Sequence, residues 1–294
     1  MKPLLFTVVD NIPLADNILK NWGAEKGDMT LHRFPDKEVY VKIHSEVLNR
    51  HIVVVESLHN MNEKLLPLLF FAKTAKALGA KKIDLIAPYL GYLRQDIAFH
   101  PGEAITSRIF AELISPFFDS LTTIDPHLHR YKNLNEIYNI PTTVLHATKN
   151  IALWIKNNVK NPVIIGPDAE SKQWVEDIAD TLKAPYLVLQ KVRHSDVDVD
   201  ISIPDIHRFA SHTPVLVDDI ISSARTLIEA VKQLKKQGAR SVIGIGVHAL
   251  FAEDAYQALL DTKIAKIVTC NTVSHVTNGI DVSDLIVSGI NSGF

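Results

Sequence analysis

Short runs of apolar and β-branched residues alternate along the chain with longer stretches in which apolar residues recur every three or four positions. In the first half the runs are LLFTVVD, VYVKI, HIVVVES, KKIDLIAPY and SLTTIDPH. Helical spacing fills two of the intervals between them, Glu63 to Leu78 and Ala104 to Ile114. Strands that alternate with helices in this way are typical of an α/β fold with a mostly parallel sheet.

The second half of the chain repeats the same alternation. Its apolar runs are VIIGPD, YLVLQK, PVLVDD, VIGIGV and KIVTC. The helical stretches between and before them are Ala147 to Asn158, Trp174 to Leu182 and a helix that ends near Gln237. We therefore predict two similar α/β domains, residues 1–145 and 146–294, with the boundary near Thr143 to Lys149.

Composition and charge exclude several classes of protein. Of the 294 residues, 47% are hydrophobic and 22% are charged, which is typical of a soluble globular protein. The formal net charge of -2 argues against a nucleic-acid-binding surface but allows a local basic pocket for small phosphorylated molecules. The single cysteine, Cys270, excludes a disulfide framework. Since no apolar segment is long enough for a signal peptide or a membrane span, we expect a cytoplasmic protein without membrane partners.

The stretch VLVDDIISSARTL, Val215 to Leu227, places two adjacent acids at the end of an apolar run and hydroxyl residues directly after them. Buried carboxylates are costly unless a ligand or ion uses them, and ligands of α/β sheets bind where strands end. The helix that follows would offer unpaired N–H groups suited to a phosphate. The candidate residues are Asp218, Asp219, Ser222, Ser223 and Thr226. The alternative is that Ser223 only caps the helix and the acids lie in a surface loop.

This stretch resembles the phosphoribosyl-diphosphate-binding loop of the type I phosphoribosyltransferase fold. In that fold, two acids after an apolar strand contact the ribose hydroxyls, and the following loop holds the 5-phosphate. The resemblance implies two domains of this type, but the loop by itself does not distinguish a transferase from a synthase.

Further segments resemble motifs of the ribose-phosphate diphosphokinases, also called phosphoribosyl diphosphate synthases. RFPDKEVYVKI and APYLGYLRQD resemble their two ATP-binding segments. IDPHLHR carries the family's Asp-x-His, GPDAES its Pro-Asp, and LQKVR the Lys-x-Arg of its catalytic flexible loop. These segments follow the family's order across nearly the whole chain, and PDAESKQWV is closest to the archaeal-like variety.

The resemblance implies a reaction and a role for each matching residue. The diphosphoryl group of ATP would pass to the anomeric hydroxyl of ribose 5-phosphate, with release of AMP. The implied residues are Phe34, Asp36, Glu38, Arg94 and Gln95 for ATP, Lys191 and Arg193 for catalysis, and His127 and Asp168 for Mg²⁺. A homodimer or a larger homo-oligomer is also implied, because in the family the segment that matches Phe34 to Glu38 reaches the ATP site of a neighbouring subunit.

The catalytic pair is expected to be mobile. Diphosphoryl transfer depends mainly on positioning and on charge stabilisation around the phosphates. Lys191 and Arg193 would close over the phosphates, and the polar stretch RHSDVDVDISIPD, Arg193 to Asp205, is predicted to be a flexible loop.

Each of these residues also has a purely structural interpretation when it is taken alone. Phe34 to Glu38 would be a strand end with a core phenylalanine, followed by a solvated turn. Arg94 and Asp96 would be a surface ion pair. A histidine at a strand end, such as His127, is more often structural than catalytic. The order of the segments along the chain outweighs these interpretations.

The chain departs from the family pattern in two places. The phosphate loop has Ala224 and Arg225 where the family usually has glycines, and alanine would cost about 1 kcal/mol if a positive φ is required. Ile97 and Ala98 stand where the family commonly places a basic residue. Alternatives to an active synthase therefore stay open: a paralogue with another pentose phosphate or donor, a non-catalytic regulatory subunit, or a transferase that acts on a base.

Overall fold

A computed structural model of the chain describes residues 1–10, 12–193, 199–202 and 206–291. The chain forms two compact units, Met1–His146 together with the segment that begins at Val282, and Ala147–Asp281. The sequence-based division after residue 145 assigned the whole C-terminal end to the second domain. The structure differs there, because the C-terminal helix Ser283–Asn291 packs on elements of the first unit.

The first unit alternates strands and helices as the apolar pattern predicts. Its elements are β1 (Leu4–Phe6), α1 (Ile12–Trp22), β2 (Glu25–Lys26), β3 (Met29–Arg33), β4 (Val39–Ile43), β5 (His51–Val55), α2 (Met61–Ala77), β6 (Lys82–Ala87), α3 (Thr106–Ile114), β7 (Ser120–Ile124) and β8 (Thr142–Leu145). Short 3-10 turns lie at Ser115–Phe117 and Leu134–Glu136.

The strands of the first unit form a parallel sheet in the order β2-β1-β5-β6-β7-β8. The central strands are buried along almost their whole length, because helices cover both faces of such a sheet. Strands β3 and β4 form a separate antiparallel hairpin that contacts α2. Since the parallel strands all end at one edge, the residues that follow β6 and β7 are brought to the same side.

The second unit has its own set of elements and its own hydrophobic core. The elements are α4 (Thr148–Asn158), β9 (Pro162–Gly166), α5 (Lys172–Leu182), β10 (Tyr186–Val188), β11 (Gln190–Arg193), β12 (Val199–Ser202), β13 (Thr213–Ile221), α6 (Arg225–Lys236), β14 (Ile243–Ala249), α7 (Ala255–Asp261), β15 (Lys266–Cys270) and β16 (Asn278–Ile280). Short 3-10 turns lie at Ala169–Ser171 and Ile206–Phe209.

The second sheet repeats the arrangement of the first. Its parallel strands have the order β10-β9-β13-β14-β15-β16, which places each strand as its counterpart is placed in the first sheet. The prediction of two similar α/β domains with mostly parallel sheets is therefore confirmed. In the part of the chain that the structure describes, no helix combines the length and the hydrophobicity needed to cross a membrane.

The predicted flexible loop, residues 193–205, is partly wrong. Strand β12 pairs with β11 as an antiparallel ladder, in which Arg193 lies opposite Val199. The segment VDIS alternates apolar and polar residues, and this period of two suits a paired strand. Residues 194–198 and 203–205 lie outside the described part of the chain.

A buried carboxylate joins three strands of the first sheet. Asp84 of β6 is fully buried, and its carboxylate lies 2.7 Å from His51 Nε2, 2.7 Å from Lys82 Nζ and 2.6 Å from Ser120 Oγ. Burial raises the pKa of Asp84, but hydrogen bonds from these three residues outweigh burial and hold the pKa below its usual value. Asp84 is therefore a charged structural residue of the sheet.

We expect Asp84→Ala to lower the free energy of unfolding at pH 7 by about 3 kcal/mol, because the Lys82 ammonium, the His51 imidazole and the Ser120 hydroxyl lose their buried acceptor. A lowered pKa stabilises the fold above the unfolded value of about 4, and this stabilisation is lost as pH falls through the folded pKa. The difference in unfolding free energy between wild type and Asp84→Ala should therefore be smaller at pH 3 than at pH 7. Urea unfolding at pH 7 and pH 3 measures it.

The matched control is Asp16→Ala, which removes the exposed ion pair between Asp16 and Lys26. An exposed pair contributes about 0.5 kcal/mol or less. If the two substitutions cost the same at pH 7, Asp84 does not have the structural role that we assign to it.

Candidate active site

The acid pair lies near the end of β13, at the C-terminal edge of the second sheet. The strand was predicted over Val215 to Asp218, but it continues through Asp219 to Ile221, which pairs with Ala249 of β14. Hydrogen bonds to β14 satisfy backbone N–H and C=O groups that a loop would leave exposed, so the strand continues past the two acids. Both carboxylates are half-buried.

A short loop, Ser222–Ala224, connects β13 to α6. The N-cap of α6 is Ala224, and no side chain caps the helix. The interpretation of Ser223 as the N-cap is therefore wrong, and Ser223 is exposed next to the first turn, in which Thr226 lies. The first N–H groups of a helix have no partner within the helix, so this end of α6 can donate to an anion.

Ala224 adopts the left-handed backbone conformation that glycine favours. Its φ is 55° and its ψ is 7°, and its side chain packs into the core of the second unit. Such a conformation costs an alanine about 1–2 kcal/mol, which the surrounding packing must offset. The loop thus has a positive φ at Ala224 without a glycine there.

Three carboxylates gather at this edge of the second sheet. Asp168 follows β9, which pairs directly with β13. Burial, followed by the charges of Asp219 and Asp168, raises the pKa of Asp218 well above its usual value. Asp218 Oδ1 accepts a hydrogen bond from the N–H of Asp219 at 3.0 Å. The site is therefore rich in oxygen acceptors, and a cation or a set of hydroxyl donors would favour its ionised form.

In the first unit, residues of two predicted segments lie at one edge of the sheet. Arg94 and Gln95 follow β6, and His127 follows β7, the strand paired with β6. Arg94 is exposed, whereas Gln95 and His127 are half-buried. Asp96 is buried and pairs with Arg130 Nη1 at 2.6 Å, so the alternative interpretation of Arg94 and Asp96 as a surface ion pair is wrong for Asp96.

The remaining predicted residues lie on two hairpins. Phe34, Asp36 and Glu38 form the turn between β3 and β4, where Asp36 Oδ1 accepts a hydrogen bond from the N–H of Glu38 at 3.1 Å. Phe34 is 45% exposed, so its interpretation as a core residue is wrong. The backbones of Lys191 and Arg193 lie in β11, and their side chains lie outside the described part of the structure.

Two family models match the chain one after the other. Residues 4–117 match the N-terminal domain of ribose phosphate pyrophosphokinase, and residues 133–286 match the phosphoribosyl transferase domain. A ribose-phosphate pyrophosphokinase of Sulfolobus acidocaldarius is 32% identical over 257 residues, which cover 86% of this chain and 87% of that protein. The chain belongs to the ribose-phosphate pyrophosphokinase family.

Other relatives agree in length and fold. The ribose-phosphate pyrophosphokinase of Methanopyrus kandleri is 28% identical and aligns over 98% of both chains. The crystal structure of phosphoribosylpyrophosphate synthetase from Mycobacterium smegmatis matches with a TM-score of 0.86 at 23% identity, over 99% of this chain and 98% of that one. The predicted membership of the family, with its archaeal relatives, is confirmed, and so is the fold.

The sequence motifs of the pyrophosphokinase family did not reveal a charged cluster in the first unit. Asp10 follows β1 and Glu56 follows β5, and Lys64 of α2 bonds to Asp10 and lies 3.5 Å from Glu56 Oε1. His59 Nε2 is 3.4 Å from Asp10 Oδ2. The signal was present in the sequence, because Glu56 ends the apolar run HIVVVES just as the acid pair ends PVLVDD.

Glu56 is the buried centre of this cluster. It is fully buried, and its Oε2 accepts hydrogen bonds from the N–H groups of Val8 at 3.1 Å and Val9 at 2.8 Å. Burial, followed by the neighbouring Asp10, raises the pKa of Glu56 to about 8. With a pKa of about 8, Glu56 loses its proton between neutral and mildly alkaline pH.

We expect Glu56→Gln to remove a pH dependence of stability. The folded pKa of about 8 lies above the unfolded value of about 4.3. The stabilising contribution of protonated Glu56 is therefore fully present below the unfolded value and is lost as pH rises through 8. Wild type should lose up to about 1.4 kcal/mol per pH unit relative to Glu56→Gln between pH 6 and pH 8. Urea unfolding at both pH values checks this. Glu63→Gln, at an exposed position of α2, should show no such change. A difference in unfolding free energy between wild type and Glu56→Gln that stays constant from pH 6 to pH 8 would refute the raised pKa of Glu56.

Proposed function

We propose that the chain is an active ribose-phosphate pyrophosphokinase, which transfers the diphosphoryl group of ATP to the anomeric hydroxyl of ribose 5-phosphate and releases AMP. The observation that carries this proposal is the match of residues 4–117 to the N-terminal domain of ribose phosphate pyrophosphokinase, ahead of a phosphoribosyl transferase domain. A transferase that acts on a base has no need of the ATP-binding segments in that first domain.

The ribose 5-phosphate site is proposed at the end of β13. Asp218 and Asp219 would accept hydrogen bonds from the ribose hydroxyls. Ser222, Ser223 and Thr226 would donate to the 5-phosphate together with the first N–H groups of α6. The raised pKa of Asp218 supports this assignment, because hydrogen bonds from the ribose hydroxyls would favour the ionised form of a buried carboxylate that lies beside other carboxylates.

The ATP site is proposed on Phe34, Asp36, Glu38, Arg94 and Gln95. The ring of Phe34 is exposed at a hairpin turn, where it has apolar surface left to bury against a planar base. Arg94 is exposed and cationic, which suits contact with a nucleotide. As in the family, the hairpin would serve a neighbouring subunit, so a homodimer or a larger homo-oligomer in the cytoplasm is part of the proposal.

Two residues are proposed for Mg²⁺, Asp168 in the second unit and His127 in the first, each assigned by its family motif. The donor set fits this ion, because Mg²⁺ prefers carboxylate oxygens, and Asp168 lies close enough to Asp218 to raise its pKa. The described residues contain no group of three or more His, Cys, Asp or Glu side chains that could hold a metal ion. Mg²⁺ takes few protein ligands and keeps waters and phosphate oxygens. When bound, the ion would neutralise charge on the ATP phosphates.

The deciding experiment follows both products in one tube. The chain is incubated with ATP and Mg²⁺, with and without ribose 5-phosphate, while AMP and phosphoribosyl diphosphate are detected directly. Appearance of both only when the sugar phosphate is present is the expected result. Activity with a different pentose phosphate or donor would identify a paralogue, and no activity with any of them would indicate a regulatory subunit.

A further inference from the structure

The segment between β14 and α7, residues 250–254, is hydrogen-bonded to the loop that carries the proposed 5-phosphate site. Three successive N–H groups of this β14–α7 segment donate to two successive carbonyls, at the end of β13 and the start of the loop. The bonds run from Leu250 to Ile221 at 3.0 Å, from Phe251 to Ile221 at 2.9 Å and from Ala252 to Ser222 at 3.1 Å. One side of the loop is therefore held by the backbone of a neighbouring connection.

These hydrogen bonds fix the orientation of two peptide groups in the loop. In a trans peptide the C=O group and the following N–H group point in opposite directions, and the described residues contain no cis peptide bond. The carbonyls of Ile221 and Ser222 face the β14–α7 segment, so the N–H groups of Ser222 and Ser223 point away from it. Successive N–H groups that are turned to one side can bind a single anion.

The β14–α7 segment has a backbone conformation that its residues disfavour. Phe251 has a φ of 38° and Glu253 a φ of 55°, both in the left-handed region that favours glycine. A bulky side chain rarely adopts a positive φ, and it does so only where the surrounding structure holds it there. A strained backbone next to a proposed ligand site points to a function for the groups that it places.

Two aromatic rings hold Phe251 in this conformation. The ring of Phe251 stacks on the imidazole of His275, with ring centres 4.5 Å and planes 28° apart, and it meets the ring of Tyr256 edge to face at 5.3 Å. Tyr256 and His275 are themselves 5.0 Å apart, so the three rings contact one another. Phe251 also packs against the hydrophobic core that includes Ile221 and Ala224.

The imidazole of His275 is fixed by its own turn between β15 and β16. The backbone N–H of His275 donates to Asn278 Oδ1 at 2.9 Å, and His275 Nδ1 accepts a hydrogen bond from the N–H of Thr277 at 3.3 Å. Burial lowers the pKa of His275, so the ring that stacks on Phe251 is neutral at pH 7. The aromatic cluster thus joins the connections that follow β14 and β15 to the loop that follows β13.

We propose that Phe251 is a positioning residue for ribose 5-phosphate, an inference that rests on the proposed function. Its ring, packed on His275 and Tyr256, holds the positive φ. Its N–H and that of the next residue then turn the N–H groups of Ser222 and Ser223 toward the 5-phosphate. The 5-phosphate takes no part in the bond changes, so loss of this positioning weakens sugar-phosphate binding more than it slows transfer.

Phe251→Ala should raise KM for ribose 5-phosphate about tenfold, the equivalent of one hydrogen bond to a charged group. The values of kcat and of KM for ATP should each change less than about twofold. Phe251→Tyr, which keeps the ring, should limit the rise to about threefold or less. The product assay with each substrate varied in turn measures all three. A lower Tm with unchanged KM values, or equal rises for both substrates, would overturn the inference.

Phe251→Gly separates the backbone conformation from the ring. Glycine accepts a φ of 38° without strain, whereas alanine does not once the stacking is lost. KM for ribose 5-phosphate should therefore rise less in Phe251→Gly than in Phe251→Ala. The opposite order, which simple loss of packing and chain rigidity would produce, would overturn the inference.

The matched control is Phe209→Ala, which removes a similar ring contact at the opposite edge of the same sheet. Phe209 precedes β13 and packs edge to face on His212, with ring centres 5.5 Å apart. This variant should lower Tm as Phe251→Ala does and leave KM for ribose 5-phosphate unchanged. A similar rise of that KM in both variants would indicate general loosening of the unit and contradict a positioning role.

Hydrogen–deuterium exchange of the whole protein, without substrates, tests the contact independently of turnover. Peptides that cover residues 250–252 should exchange about tenfold faster in Phe251→Ala than in wild type, and at the wild-type rate in Phe209→Ala. If wild type forms no phosphoribosyl diphosphate, the proposed function fails, and the exchange rates still decide whether Phe251 holds the loop. If the product forms but neither KM nor exchange changes, the inference alone fails.

Discussion

Replacing Lys191 and Arg193 together by alanine should lower turnover by about 10³-fold or more, while the affinity for ATP changes little. The two cations would face the phosphates most closely when charge redistributes during transfer, and a group that acts mainly in the transition state affects turnover more than binding. A single cationic residue at a transferring phosphate contributes about 10³–10⁵ in rate in comparable reactions. The catalytic role of the pair is taken from the family motif LQKVR. Both residues lie in β11, which pairs with β12.

Turnover is measured as AMP release that depends on ribose 5-phosphate, and ATP affinity by calorimetry without the sugar phosphate. The matched control is Lys232→Ala with Lys236→Ala, which removes two exposed cations from α6 and should leave both quantities unchanged. Loss of ATP binding with unchanged turnover in the Lys191 and Arg193 variant would remove the catalytic role from this pair.

The second large effect concerns Asp218, whose replacement by asparagine should lower activity and raise stability. We expect kcat/KM for ribose 5-phosphate to fall by about 100-fold, because a misplaced sugar hydroxyl disturbs the reacting geometry. Because the pKa of Asp218 is raised in the folded protein, the stability that protonated Asp218 contributes is fully present below its unfolded pKa of about 4 and is lost as pH rises. At pH 7 the ionised form therefore opposes folding, and Asp218→Asn should stabilise the protein by about 1 kcal/mol.

Opposite changes in activity and stability distinguish a site residue from a structural one. Urea unfolding at pH 7 and the product assay are run on the same preparations. Asp180→Asn, on the exposed face of α5 in the same unit, should alter neither. If Asp218→Asn loses stability and activity together, the residue supports the fold and the site assignment is wrong.

The two units use the same edge of their sheets differently. In the first unit the acids Asp10 and Glu56 have the ammonium group of Lys64 beside them. In the second unit the charges that act on Asp218 are those of Asp219 and Asp168, both of which raise its pKa. The first cluster therefore includes a cation of the chain itself, whereas the carboxylates around Asp218 act to raise its pKa.

Much of the fold was predictable because burial leaves a periodic record in the sequence. The strands of PVLVDD and HIVVVES and the apolar face of α6 were recognised from spacing alone, since each lies in a buried environment that admits few polar residues. The repeat of the two halves was visible for the same reason. The β12 strand was missed because its alternating polar residues resemble those of a loop.

The candidate site was predictable as a set of segments but not as a geometry. The acids of VLVDD and the order of the motifs indicated both the chemistry and the family. The proximity of Asp168 to Asp218 follows only from the pairing of β9 with β13, which are separated in sequence by the whole of α5, β10 and the β11–β12 hairpin. The ion pair of Asp96 with Arg130 likewise depends on the neighbouring positions of β6 and β7.

The sequence by itself determined the class of fold, the family and the residues that could carry the chemistry, because these depend on local pattern and on motif order. Only the tertiary structure decided that β13 continues past its acids, that Ala224 takes a positive φ, that Phe34 is exposed and that the C-terminal helix packs on the first unit. These features are set by contacts between residues far apart in the chain, and local spacing contains no record of which distant segments will meet.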